Sequence, residues 1–135
     1  MRITTRGRYA LRASLALAEL GKNGELVSIG SLAEAEDISS IFLEQIFFKL
    51  RKAGIVRSTR GPGGGFCFAR PLDELSVKAI LDAAGEDLTP SGCDKSSGEC
   101  ERFGNCVSHK VWADLNDVIN NYLADISLSS LLEQR

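Results

Sequence analysis

No run of apolar residues in the 135-residue sequence approaches the roughly 20 that a membrane-spanning helix needs. The first residues, Met1-Arg2-Ile3-Thr4-Thr5, lack the hydrophobic region of a secretory signal. Both absences lead us to expect a cytoplasmic protein with no membrane partner. There is a single histidine, and it stands among the cysteines. No second catalytic constellation accompanies it, so no enzyme and no catalytic residue are expected. An overall basic excess is also lacking, with 16 Lys and Arg against 18 Asp and Glu. The balance is uneven, however. Residues 1–70 carry 11 basic against 6 acidic side chains, and residues 71–135 carry 5 against 12. A basic front half is a candidate nucleic-acid face. At 44% hydrophobic and 25% charged residues, the composition is that of an ordinary soluble globule. The length allows one domain with an appendage.

What is present is concentrated in Cys93-x6-Cys100-x5-Cys106-x2-His109. Four soft donors on one short segment can surround a metal without closing a long loop. The residues between them are polar and glycine-containing, with no apolar periodicity to hold a shape of their own. Structural zinc usually takes cysteines two to four residues apart. The wider gaps suit an iron–sulfur cluster better, and three cysteines with one histidine supply the four bonds of a [2Fe–2S] cluster. Zinc, and cysteines that are simply reduced or paired in disulfides, stay open as alternatives. In a reducing compartment clustered cysteines favour metal over disulfide.

Ahead of this segment the spacing predicts a helix over 5–20, capped by Thr4 or Thr5, with apolar residues on most sides. Arg6, Arg8 and Arg12 gather on its first turns, where free backbone N–H groups and guanidinium groups suit phosphates. A turn at 21–24 and a short strand at Leu26-Val27 follow. Ser28 to Asp37 reads as a short helix with Ile29, Leu32 and Ala33 inward. Ser39 and Ser40 cap a longer one that runs to Lys52 and ends at Gly54. Two helices about a tight turn form a helix-turn-helix outline, in which Asp37 can take the left-handed conformation.

On the second helix Phe42, Leu43, Ile46, Phe47, Leu50 and Ala53 make a core-facing stripe. The opposite arc carries Ser40, Ile41, Glu44, Gln45, Phe48, Lys49, Arg51 and Lys52. Glutamine and glutamate there can read adenine and cytosine edges, and the cations suit phosphates. Ile41 and Phe48 stand out as apolar. They touch thymine methyls or sugars, or pack on a neighbouring element, which is the expected outcome. Residues 55–59 and 66–69 read as strands joined by Arg60-Gly61-Pro62-Gly63-Gly64-Gly65, the wing of a winged helix with a slim tip. No Lys-Ser/Thr follows the glycines, which argues against a nucleotide loop. Cys67, in the second strand, is expected to be a small packed residue. Short helices are predicted over 77–84, after Ser76, and over 127–133. A long one spans 108–124 with a wide apolar face. Such a face needs more cover than one chain offers, so dimerisation is expected, alone or together with packing on the first helix.

These residues resemble the Rrf-two family of bacterial winged-helix transcription factors, in particular its IscR-like branch of iron–sulfur cluster regulators. The resemblance covers nearly the whole chain. Its carriers are Met1-Arg2-Ile3-Thr4 with Gly7-Arg8-Tyr9-Ala10, then Leu43-Glu44-Gln45, Leu50-Arg51-Lys52, the wing from Arg60 to Gly65, and Cys93, Cys100, Cys106 and His109 with Trp112. It implies a mainly α fold with a small β-wing: a winged helix-turn-helix DNA-binding domain over 1–85, a cluster-binding loop over 86–108, and a dimerisation helix with a short C-terminal helix over 109–135. It implies a homodimer on a palindromic double-stranded operator, [2Fe–2S] ligation by Cys93, Cys100, Cys106 and His109, base contacts by Glu44 and Gln45, and Arg60 in the minor groove. Arg6, Arg8, Ser39, Ser40, Lys49, Arg51, Lys52, Gly61, Pro62 and Gly63 complete the expected DNA surface. Two features depart from the family's pattern: the first cysteine gap is one residue longer, and Ile41 and Phe48 replace more polar residues. The expected function is transcriptional repression or dual regulation, set by iron–sulfur status or redox. The alternatives are a nitric-oxide-sensing repressor, a zinc-stabilised DNA-binding protein and a cluster-bearing electron carrier.

Overall fold

The computed structural model describes residues 2–91, 93, 102 and 104–134. Helix α1 (Thr5–Leu20) leads into a single 3-10 turn at Lys22–Gly24, then α2 (Ile29–Glu36) and α3 (Ser40–Lys52). A hairpin of β1 (Val56–Thr59) and β2 (Gly65–Phe68) follows, then α4 (Val77–Ala83), α5 (Val107–Ala124) and α6 (Leu128–Glu133). This mainly helical architecture with one small antiparallel sheet is the winged helix-turn-helix expected from the sequence.

Local chemistry sets the helix starts. Thr4, Ser28, Ser39, Ser76 and Ser127 each accept a hydrogen bond from the amide three residues on, capping α1, α2, α3, α4 and α6. Helix α5 differs: its N-cap is Cys106, whose side chain makes no capping bond. Between α2 and α3 the chain turns at Asp37, which adopts φ 53 and ψ 49 in the left-handed region, as its short polar side chain allows. Ile38, directly after it, is buried and pins the turn to the core.

That core takes Ala10, Ala13 and Leu17 from α1, Leu32 from α2, and Leu43, Ile46, Phe47 and Leu50 from α3. These side chains recur every three or four residues, so each helix turns one stripe inward. The stripe on α3 stops at Leu50. Ala53, expected inward, is the exposed C-cap, because the helix has ended and its amide only closes the last turn onto Lys49. Phe47 meets Phe66 of the wing with ring centroids 5.0 Å apart, fastening hairpin to helix. The wing pairs Val56 with Phe68 and Thr59 with Gly65. The strand expected at Leu26-Val27 reduces to one bridge, in which Val27 and Phe66 exchange both backbone hydrogen bonds at 2.9 and 2.8 Å.

The chain end returns to this core. Ser127 bridges Ser76, the Val77 amide donates to the Ile126 carbonyl at 2.8 Å, and the Leu128 amide donates to Leu75 at 2.8 Å. Leu128 is fully buried. A second, smaller cluster of Val77, Leu81 and Leu88 receives Ile119 and Leu123 of α5, with Leu11 of α1 beside them. The long helix thus packs back in part, chiefly on α4 rather than on the first helix that was expected to cover it. Its other stripe, Val107, Val111, Trp112, Leu115, Val118 and Tyr122, is exposed, with Val107 at 88%. No helix among the described residues is long and apolar enough to cross a membrane.

Candidate nucleic-acid interface and metal centre

The outward face of α3 carries most of the expected DNA-contacting side chains. Glu44, Gln45, Arg51 and Lys52 are exposed and Lys49 is half-buried. Ser40 is exposed on the first turn, whereas the Ser39 hydroxyl is engaged in accepting the Phe42 amide at 3.1 Å. Glu44, Gln45, Phe48 and Lys49 line one open groove together with Ile41 and with Arg6 from α1. Ile41 and Phe48 were expected to pack on a neighbouring element. They instead stand 72% and 55% exposed, because α2 and the wing flank α3 without crossing its outer face. The Arg51 guanidinium lies over the Phe48 ring, 5.7 Å from its centroid. Arg51 also donates to the Ser58 hydroxyl at 3.2 Å, joining α3 to the wing.

The arginines of α1 divide by role. Arg12 pairs with Glu36, donating to its Oε1 at 3.2 Å, and stacks over Tyr9 at 5.1 Å, so it braces α1 against α2. Arg8 is exposed and donates to Thr5 Oγ1 at 3.2 Å. Arg6 reaches across to the Gly85 carbonyl at 3.2 Å. Its Nε is buried and finds no acceptor among the described residues. Arg2 was missed at the sequence level. With Thr4, Thr5, Arg6 and Phe42 it lines a second depression beside the groove, and a cation two residues before the helix cap was the available signal.

Glu86 has no counterpart in the sequence reading. Its Oε1 accepts the Gly7 amide at 2.9 Å and the Thr4 hydroxyl, and its Oε2 accepts the Thr4 amide at 3.3 Å. Partial burial pushes this carboxyl upward. The hydrogen bonds from Thr4 and Gly7, with the nearby Arg6 charge, outweigh that and hold it below the ordinary carboxylate range. Gly7 is fitted to the contact, since a Cβ there would lie 2.5 Å from Glu86 Cγ.

At the far edge of the interface the wing tip, Arg60, Gly61, Pro62 and Gly63, is exposed. Gly61 and Gly63 have φ of 94 and 74, and the Gly64 amide closes the turn onto Gly61 O at 2.9 Å. Gly65 has φ 151 and lies so near Val27 that a Cβ would stand 2.5 Å from its carbonyl oxygen. Cys67 is half-buried and pairs with Arg57 across the hairpin.

Of the four expected metal ligands, Cys100 lies outside the described residues. Among those described, no three His, Cys, Asp or Glu side chains converge on one point. Cys106 and His109 share the N-terminal turn of α5, and the His109 amide donates to Cys106 O at 3.2 Å. The Cys106 sulfur lies 2.9 Å from the Ser108 hydroxyl. Hydrogen bonding from that hydroxyl, and then from the His109 and Ser108 backbone, lowers the thiol below its ordinary value. A thiol biased toward thiolate has the chemistry of a soft-metal ligand. Cys93 is half-buried, its amide donating to Ser91 Oγ at 3.2 Å.

Comparison with known proteins places these features. Residues 3–134 match the family model Rrf2, described as an iron-dependent transcriptional regulator. An HTH-type transcriptional regulator of Neisseria meningitidis serogroup A is 41% identical over the full chain and 90% of its own length. The HTH-type transcriptional regulator IscR of Serratia proteamaculans is 36% identical over the full chain and 81% of its length. Among solved structures, the IscR of T. potens superposes with a TM-score of 0.77 at 31% identity, over 99% of this chain and 88% of that one. The global cysteine regulator CymR of B. subtilis does so with a TM-score of 0.80 at 26% identity, over 100% and 98%.

Proposed function

The chain belongs to the Rrf2 family of iron-dependent transcriptional regulators, and from that premise we propose that it is a homodimeric, DNA-binding repressor or dual regulator governed by a [2Fe–2S] cluster on Cys93, Cys100, Cys106 and His109. The observation that carries the cluster is the donor set itself. Three cysteines and the only histidine fall within one segment, and Cys106, at the start of α5, has its thiol biased toward thiolate by hydrogen bonds from Ser108 and His109. The fold alone names no effector, since the cysteine regulator CymR shares it.

In this reading α3 lies in the major groove of double-stranded DNA at a palindromic operator. Glu44 and Gln45 meet base edges, Arg6, Arg8, Lys49, Arg51 and Lys52 meet phosphates, and Ser39 and Ser40 stand where the helix enters the groove. Arg60 and the Gly61-Pro62-Gly63 tip reach the minor groove. The exposed stripe of α5 pairs with its copy in a second chain, so that two reading helices address the two half-sites. The bound cluster supplies one-electron redox chemistry and sensitivity to iron supply. The chain's own part is to hold the donors at the start of α5 and to carry their state to the reading face. The division into a DNA-binding unit over 1–85, a cluster segment over 86–108 and a pairing helix from 109 onward is functional; Leu128 sits in the core of the first unit. Enzymatic activity has no place in this reading.

Anaerobic purification with iron, sulfide and zinc analysis, then footprinting of the loaded and cluster-free forms, tests it. Equal iron and sulfide, with a footprint that depends on them, is the expected result. Zinc without sulfide, or identical footprints, would overturn cluster control. Failure to footprint in either form would overturn the DNA-binding reading.

A further inference from the structure

Ile41 is 72% exposed in the first turn of α3, on the side of the helix that also presents Glu44, Gln45 and Phe48. Positions 41, 44, 45 and 48 share one face by helical spacing. An isoleucine so placed leaves most of its apolar surface in water. What surrounds it indicates what covers it. Arg6 and Lys49 line the same groove, with Arg51 and Lys52 exposed beside it. An apolar protein partner seated there would strip water from these cations and from Glu44 and Gln45 without matching them. Duplex DNA matches them all. Its phosphates take the cations, its base edges take Glu44 and Gln45, and its major groove offers an apolar group, the 5-methyl of thymine.

Building on the DNA-binding reading above, we infer that Ile41 is a specificity-determining residue that reads a thymine 5-methyl group beside the bases met by Glu44 and Gln45. The first turn of a recognition helix is where base-contacting side chains lie. Isoleucine has no polar side-chain atom, so it can select thymine only through the methyl and through the water that the contact expels. The required site is therefore a thymine adjacent to a base presenting a donor to Glu44. Phe48 stands seven residues further on, about 10 Å along the axis. There, with Arg51 stacked on it, it borders the sugar–phosphate wall and reads no base.

The test uses the loaded full-length protein and an operator selected by the wild type from a randomised duplex pool. Each thymine is replaced in turn by deoxyuridine, which lacks only the methyl. One thymine in each half-site should lose about 4-fold in affinity, the worth of burying one methyl group. Ile41→Ser should bind uracil and thymine equally at that position, and Ile41→Val should retain the preference. A uridine scan that is silent in the wild type would overturn the inference, as would equal sensitivity in Ile41→Ser. A change in sedimentation of Ile41→Ser without change in the scan would do so too, assigning the face to protein contact. If the wild type selects no sequence at all, the DNA-binding reading itself fails, which separates the two cases.

Discussion

The amide of Gly7 donates to Oε1 of Glu86 at 2.9 Å, tying the first turn of α1 to the residue that follows Gly85. Because the same oxygen accepts the Thr4 hydroxyl, one carboxylate replaces solvent for several donors at a helix start. Glu86→Ala should cost about 1 kcal/mol, the scale of a lost helix cap. Its folded pKa is lowered, so its contribution is present above the ordinary carboxylate value and disappears as pH falls through the lowered one. Thermal melts from neutral to acidic pH should therefore show wild type and Glu86→Gln converging below that range. Parallel curves would show that the ionised form is not what stabilises the contact.

The wing glycines should differ in tolerance. At Gly65 a Cβ would strike the Val27 carbonyl at a backbone φ of 151, whereas at Gly63 a Cβ meets nothing within 4 Å. Gly65→Ala should destabilise by about 3 kcal/mol and Gly63→Ala by about 1 kcal/mol, strain alone. Denaturant midpoints of the two variants check the order.

Arg60 is exposed at the tip, so Arg60→Ala should leave the denaturation midpoint where it is. DNA binding should weaken by roughly 1–3 kcal/mol, most at sites with a narrow minor groove. Unchanged affinity at both low and moderate salt would remove Arg60 from the interface.

Each of Cys93→Ala, Cys100→Ala and Cys106→Ala should abolish stable cluster incorporation, since thiolates bind iron strongly. His109→Cys should hold the cluster more tightly, because an imidazole is more easily protonated and lost. Iron and sulfide content after anaerobic purification decides, and a fully loaded Cys93→Ala would show that the ligand set is wrong.

Glu44 shares its groove with Arg6, and Arg6 is bonded to Gly85, on the path toward the cysteine segment. A carboxylate there accepts from a cytosine N4 but rejects acceptor-rich edges and phosphates. If the cluster's state moves Arg6, it changes how far Glu44 is neutralised and so which operators are tolerated. Glu44→Ala should let the cluster-free protein bind sites that the wild type binds only when loaded. Gln45→Ala, which removes an attractive contact, should weaken both forms. An isotherm for cluster-free Glu44→Ala on a loaded-form operator, no tighter than wild type, would move the switch elsewhere.

Helix α3 and the wing were legible in the sequence because their signals are local. Serine caps, a stripe at helical spacing and a glycine run each act over a few residues. Ala53 was misplaced because the 100° spacing was extended one residue past the last turn. Ile41 and Phe48 were assigned to packing because hydrophobicity is a one-residue property, whereas cover depends on neighbours that only the tertiary arrangement supplies. Glu86 was invisible for a related reason: its partners Thr4 and Gly7 lie about 80 residues away, and no periodicity links them. The candidate metal donors stand out in the sequence as a set. Their mutual geometry was not legible, since the residues between them carry no apolar pattern from which a path could be built.

The stitching of Ser127 to Ser76 makes α5 a beam clamped at one end. Its last turns are held by Ile119, Leu123 and the Leu128 anchor, while the 12 residues from Val107 to Val118 extend it by about 18 Å at helical rise. Cys106 and His109 lie at its far end. A tilt of about 10° about the clamp displaces that tip by about 3 Å over such a length. The same tilt moves Leu123, close to the clamp, by far less. Any force generated among the cysteines therefore acts with a long arm, and the short arm ends against Val77 and Leu81 of α4, two turns from the Gly85 carbonyl that holds Arg6. In the cluster-controlled reading proposed above, small angular changes at the donors would arrive at Arg6 as sub-ångström corrections, the scale on which hydrogen bonds are made or lost.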